Sequence, residues 1–171
     1  MRWRRVGKGD PLSMVLLLRK PHSLGAEELR SAAERAWCIS FAGGEGSMHF
    51  VSQSSQATFL KAGPHLLSFF NHPGPYIDNP QDNIAWLPQA SQQKAWAEHL
   101  AYIAVDYLNH ETDVELAYCV LAQLTSELID ENSTAVYVPG ESSLIPNDES
   151  LYMELRKIAS SRDSGVILQT N

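Results

Sequence analysis

HLAYIAVDYLNHETDVELAYCVLAQLTSELIDENSTAVYVPG, residues 99 to 140, reads as strand, capped helix, strand, and it decides the fold class. Ala101 to Leu108 is short and rich in β-branched and aromatic residues. Ala101, Ile103, Val105 and Tyr107 alternate onto one face; Tyr102, Ala104, Asp106 and Leu108 take the other. Thr112-Asp113-Val114-Glu115 has the form of a capping box, with Thr112 at the N-cap. Val114, Ala117, Tyr118, Leu121, Leu124, Thr125 and Leu128 follow at helical spacing. Ser133 to Val138 reads as a strand stopped by Pro139-Gly140. The helix between is long enough for a crossover, so these two strands can run parallel. A competing reading joins Trp96 to Leu108 in one amphipathic helix.

Upstream, Met14 to Leu18 is a continuous apolar run, the pattern of a central strand buried on both faces. Leu24 and Leu29 flank a helix start at Gly25 like a hydrophobic staple, and the apolar stripe continues to about Phe41. Strands are read at 48–53, 57–62 and 65–70. The Pro/Asn-rich stretch from 71 to 88 reads as a long loop, followed by a short helix from Gln92 to Leu100 and a last helix from about Asp148 to Ser160. The expected fold is α+β. It is a ferredoxin-like sandwich, β-α-β-β-α-β with helices on one face, extended by a further α-β unit and a C-terminal helix. A doubly wound parallel sheet is the alternative. It is disfavoured because the middle strands lie too close in sequence for crossovers. The domain boundaries read as a disordered basic leader at 1–12, one α/β domain at 13–160 and a tail at 161–171, in which Val166-Ile167-Leu168 can add an edge strand.

The chain carries 13 Lys and Arg against 20 Asp and Glu, a formal charge of -7, which argues against nucleic acid as a partner. Arg2, Arg4, Arg5 and Lys8 make the opening residues an exception. No run approaches the length needed to span a bilayer. No signal peptide is apparent, and Cys38 and Cys119 read as two buried free thiols, so a cytoplasmic location is expected.

No metal site is expected, because His22, His49, His65, His72, His99 and His110 form no HxH or HExxH pattern. No cofactor motif occurs. Gly43-Gly44-Glu45-Gly46 lacks the Lys-Ser/Thr of a phosphate loop, and Gly140-Glu141-Ser142-Ser143-Leu144 fails as a nucleophile elbow at Leu144.

Two sets of residues remain as site candidates. Asp106 interrupts an apolar strand, where a carboxylate is costly unless it is paired or functional. With a histidine such as His49 it forms the weak catalytic candidate. The 69–80 loop holds His72, Tyr76 and Asp78 in a backbone stiffened by Pro73-Gly74-Pro75, and these three are the binding candidates.

The succession of Met14 to Leu18, His99 to Val105, the helix and Val136 to Gly140 resembles a bacterial family of uncharacterised α/β domains over residues 14 to 145. That resemblance brings no established activity and no catalytic residues. Two function classes therefore stand. The favoured one is a non-enzymatic module that binds a protein partner or a second copy of itself, as a homodimer. The other is a small hydrolase built on Asp106 and a histidine.

Overall fold

A computed structural model describes residues 12–41, 47–54, 57–109 and 113–161. Residues 1–11 of the leader, the glycine turn at 43–46, Thr112 and Val166 to Leu168 lie outside the described residues, while Leu12, read as the leader's last residue, opens the first strand. Seven strands form one sheet: β1 (Leu12–Leu18), β2 (His49–Gln53), β3 (Thr58–Ala62), β4 (His65–His72), β5 (Ala101–Tyr107), β6 (Ser133–Val138) and β7 (Ser143–Pro146). Four helices accompany them: α1 (Ala26–Trp37), α2 (Ala90–Glu98), α3 (Val114–Leu128) and α4 (Leu151–Ala159). The strand order is β2-β3-β4-β5-β1-β6-β7 and every pairing is antiparallel. The doubly wound parallel alternative is thereby overturned. β5 and β6 do run parallel to each other, but β1 lies between them, antiparallel to both.

The apolar run at β1 behaves as its pattern requires. All seven residues are buried, and alternate ones enter two different cores. Met14, Leu16 and Leu18 join Ile103, Val105, Tyr118, Leu121 and Leu155 on the face covered by α1, α3 and α4. Val15 and Leu17 join Ala95, Trp96, Ala135 and Leu144 beneath α2. Helices thus lie on both faces, not on one. The sequence of α2 hid this, because only Ala95 and Trp96 of its nine residues are buried.

The helix reading of 96–108 fails at His99. Its backbone is extended (φ -76°, ψ 135°), and β5 starts two residues later. The N-cap of α3 is Asp113, one residue beyond the expected Thr112. Its Oδ1 accepts from the amides of Glu115 and Leu116 at 2.9 and 3.3 Å. β7 was not anticipated. It follows a 3-10 turn at Pro139–Glu141 and pairs Leu144 with Tyr137. Gly63 adopts φ 57° in the two-residue turn between β3 and β4, a conformation that favours glycine at the first turn position.

Both cysteines are free, but only Cys119 is buried. α1 ends at Trp37, which leaves Cys38 as its left-handed C-cap (φ 55°) and exposed. Cys119 donates from Sγ to the Ala159 carbonyl at 2.8 Å. A thiol reagent applied to the native protein should titrate one cysteine quickly and the second only on unfolding. Two equally fast thiols would contradict the burial of Cys119.

Candidate binding face

Among the described residues the sheet has a covered face and a partly bare one. On the second face, registers align the side chains in rows that cross the strands. One row runs Phe50, Lys61, Leu66; the next Ser52, Phe59, Ser68, Asp106, Ser13; a third includes Phe70, Ala104 and Val15; a fourth includes His72, Tyr102 and Leu17. α2 and the loop before it cover this face from β7 to β5. Their rings form a continuous edge-on cluster. Tyr76 packs against Tyr102 at 5.2 Å, Tyr137 at 5.4 Å and Trp96 at 6.4 Å between centroids, and Trp86 packs against Trp96 at 5.3 Å. Such edge-to-face pairs add roughly 0.5–1.5 kcal/mol each beyond burial.

His99 ties this cover to the sheet. It is fully buried. Its Nδ1–H donates to the Trp96 carbonyl, and its Nε2 accepts the Tyr76 amide at 3.0 Å. Burial pushes its pKa below the ordinary 6.5, against a smaller opposing effect of the Trp96 carbonyl. Burial also raises the Tyr76 phenol, helped by Tyr137, Tyr102 and Asp106, so these polar ends share one electrostatic neighbourhood.

The cover ends at His72, Tyr76 and Tyr102. The His72 ring stacks on Tyr102 at 5.0 Å and 18°, and its Nδ1 accepts the Gly74 amide at 3.1 Å. Beyond that border lie Phe50, Phe59, Leu66 and Phe70, which belong to neither core cluster. The first three are half-buried and Phe70 is 44% exposed. Asp106 stands where the bare part begins, half-buried, accepting from Ser13 Oγ at 2.6 Å.

The structure therefore gathers three of the five candidate residues, Asp106, His72 and Tyr76, onto one face. Asp78 is exposed on the loop, with no hydrogen bond or ion pair among the described residues. His49 points to the opposite face, where its ring meets Phe41 at 5.8 Å. It is three strands from Asp106, so the two make no pair. On that same face His65 Nδ1 meets the Tyr107 hydroxyl at 2.6 Å, while its Nε2 is buried without a hydrogen-bond partner among the described residues. Burial lowers the pKa of His65 as well.

Sequence reasoning missed Tyr102, Tyr137, Trp86, Trp96, His99 and Lys61 as parts of this face. The period-2 alternation of β3 and β4 held the signal for Lys61 and its neighbours. Nothing local marked His99, whose role depends on a loop residue 23 positions earlier.

Three clefts elsewhere measure about 240 Å³ among α1, α3 and α4, about 260 Å³ between the loop and α2, and about 230 Å³ beside Arg19. Each falls below the roughly 300 Å³ at which ligand pockets begin. Among the described residues no three His, Cys, Asp or Glu side chains converge as metal ligands, and no helix is long and apolar enough to cross a membrane. No family model, curated protein or solved structure matches the chain.

Proposed function

We propose that this chain is a non-enzymatic binding module that receives an apolar protein surface on the bare part of its second sheet face. The observation that carries the reading is the abrupt end of the α2 cover at His72, Tyr76 and Tyr102, which leaves Phe50, Phe59, Leu66 and Phe70 outside both cores. A contiguous apolar patch with a polar rim is the usual mark of an interaction site. The rim here is Asp106, Ser52 and His72, and Lys61 lies among the aromatics. The proposed scaffold is a ferredoxin-like core with α1 and α3 on one face, to which α2 adds a partial cover on the other. Its supporting unit is β5-α3-β6, two parallel strands split by β1. The hydrolase alternative draws no support from Asp106, whose hydrogen-bond partner is Ser13 and which has no histidine beside it in its row.

The test uses the anionic dye anilinonaphthalene sulfonate at nanomolar protein, where copies are kept apart. The native protein should enhance its fluorescence, and Phe59→Ser and Phe70→Ser should each remove most of that signal while far-UV circular dichroism stays unchanged. Unchanged dye binding in both variants would defeat the reading.

A further inference from the structure

We infer that the occupant of the bare face is a second copy of this chain, packed face to face about a twofold axis. This rests on the binding-module reading above and names its partner. The argument is charge complementarity within one patch. In the rows of this face, Lys61 is the cation and Asp106 the anion, and among the described residues neither has an ion-pair partner. The salt bridges among the described residues lie elsewhere, such as Arg35–Glu127 at 2.8 Å. Lys61 stands between Phe50 and Leu66, and Asp106 stands between Ser68 and Ser13 at the border of the patch, so each sign of charge is present once without a counter-ion among the described residues. Such a surface suits a self-complementary interface.

The registers fix where the two charges stand. Lys61 is opposite Leu66, and Ser68 is opposite Asp106, so β4 runs midway between them. They are two strand spacings apart across the sheet and one row apart along it, about 12 Å by standard sheet dimensions. A twofold axis in the interface plane, crossing the Lys61–Asp106 line at right angles over β4, sets each Lys61 above the Asp106 of the other copy. Two equivalent ion pairs result, and residue i meets j while j meets i, as an isologous contact requires. The same operation brings the two Phe59 rings together beside the axis and carries Phe70 toward Ser52 of the other copy. The strands of the two sheets then cross at about 70°, close to the orthogonal class of sheet packing. Each α2 layer falls beyond the β2 edge of the other copy, so the cover that stops at Tyr76 leaves room for the second sheet. In an interface with polar ends and an aromatic centre, the paired charges set the register, and the apolar residues supply the burial.

The test is sedimentation velocity of the full chain across the micromolar range, with charge reversals. Wild type should move from one to two times the 19.0 kDa chain mass as concentration rises. Lys61→Asp and Asp106→Lys should each weaken association by roughly tenfold or more, because each sets like charges against each other. The double reversal K61D/D106K should restore it. Both side chains are half-buried, Lys61 among the aromatics and Asp106 on the rim, and circular dichroism with a cooperative urea transition reports that each variant is folded. A wild type that stays monomeric overturns the inference, as does a dimer that ignores single reversals or is not rescued by the double one. A monomer whose face takes up dye only after residues 1–11 are deleted makes that segment the occupant and likewise overturns it. Dye uptake without self-association leaves the binding-module reading standing while this one falls.

Discussion

Replacing His99 with alanine should lower the stability of the fold by about 3–4 kcal/mol, from a lost buried ring and an orphaned amide. The ring is fully buried and joins Trp96 to Tyr76, so its loss removes the one side-chain bond that fixes the loop amide at Tyr76. That is a large fraction of the roughly 5–15 kcal/mol typical of a domain. The bond pattern also dictates the pH response. Nε2 accepts, so the ring must be neutral; a proton there sets two N–H groups against each other. The folded pKa lies below 6.5, so between that value and 6.5 the unfolded chain binds more protons. Stability is therefore complete above 6.5 and declines as pH falls through that window. His65 contributes with the same sign, since burial lowers its pKa too. Urea midpoints measured from about pH 7.5 down to about pH 5.5 should fall in the wild type and fall less steeply in His99→Ala. A midpoint that rises on acidification would contradict both histidine assignments.

The two faces of β1 provide the second large effect. Leu16→Ala and Leu17→Ala point to opposite sides of the sheet, yet each should cost about 2–5 kcal/mol, since both side chains are fully buried. Phe50→Ala and Phe59→Ala, on the uncovered strands, should cost about 1 kcal/mol or less in the dilute monomer. Equilibrium denaturation of the four variants measures this directly. A Leu17→Ala variant as mild as Phe59→Ala would mean that α2 does not seal its side of the sheet. A Phe59→Ala variant as severe as Leu17→Ala would mean that the face treated as bare is covered.

These contrasts trace what the sequence made legible. β1 was readable because only a strand buried on both sides tolerates five successive apolar residues, Met14 to Leu18. β5 was readable from its clean alternation, and α3 from its long apolar stripe. α2 could be recognised as a helix, but nothing in Ala-Ser-Gln-Gln-Lys-Ala-Trp-Ala-Glu said which face of the sheet it would cover. β7 is four residues long and ends in proline, too short for any period to register. The capping position slipped by one because Thr112 and Asp113 are both good N-caps, and which is used depends on the loop before them. On the site, His72 and Tyr76 were visible through the stiff Pro73-Gly74-Pro75 backbone and the aromatic content, although Asn71 and His72, read as loop, form the end of β4. Asp106 stood out as a carboxylate among apolar neighbours. Its partner did not, because Ser13 lies 93 residues away, and the ring cluster of Tyr76, Tyr102 and Tyr137 draws on three separate segments.

The placement of β1 also orders the assembly of the molecule in time. Its neighbours are β5 and β6, whose residues begin at Ala101 and Ser133, so the middle of the sheet closes only by joining stretches about a hundred residues apart. Loops of that length are slow to close, and contacts so distant in sequence slow folding as a whole. During synthesis the run Ser-Met-Val-Leu-Leu-Leu leaves the ribosome well before either of its neighbours exists. β2, β3 and β4 can meanwhile zip as a local meander through the Gly63 turn, while the most apolar strand of the chain waits unpaired. β1, the earliest made of the described strands, is thus among the last to be housed, and for that interval it is exposed to mispairing with other nascent chains.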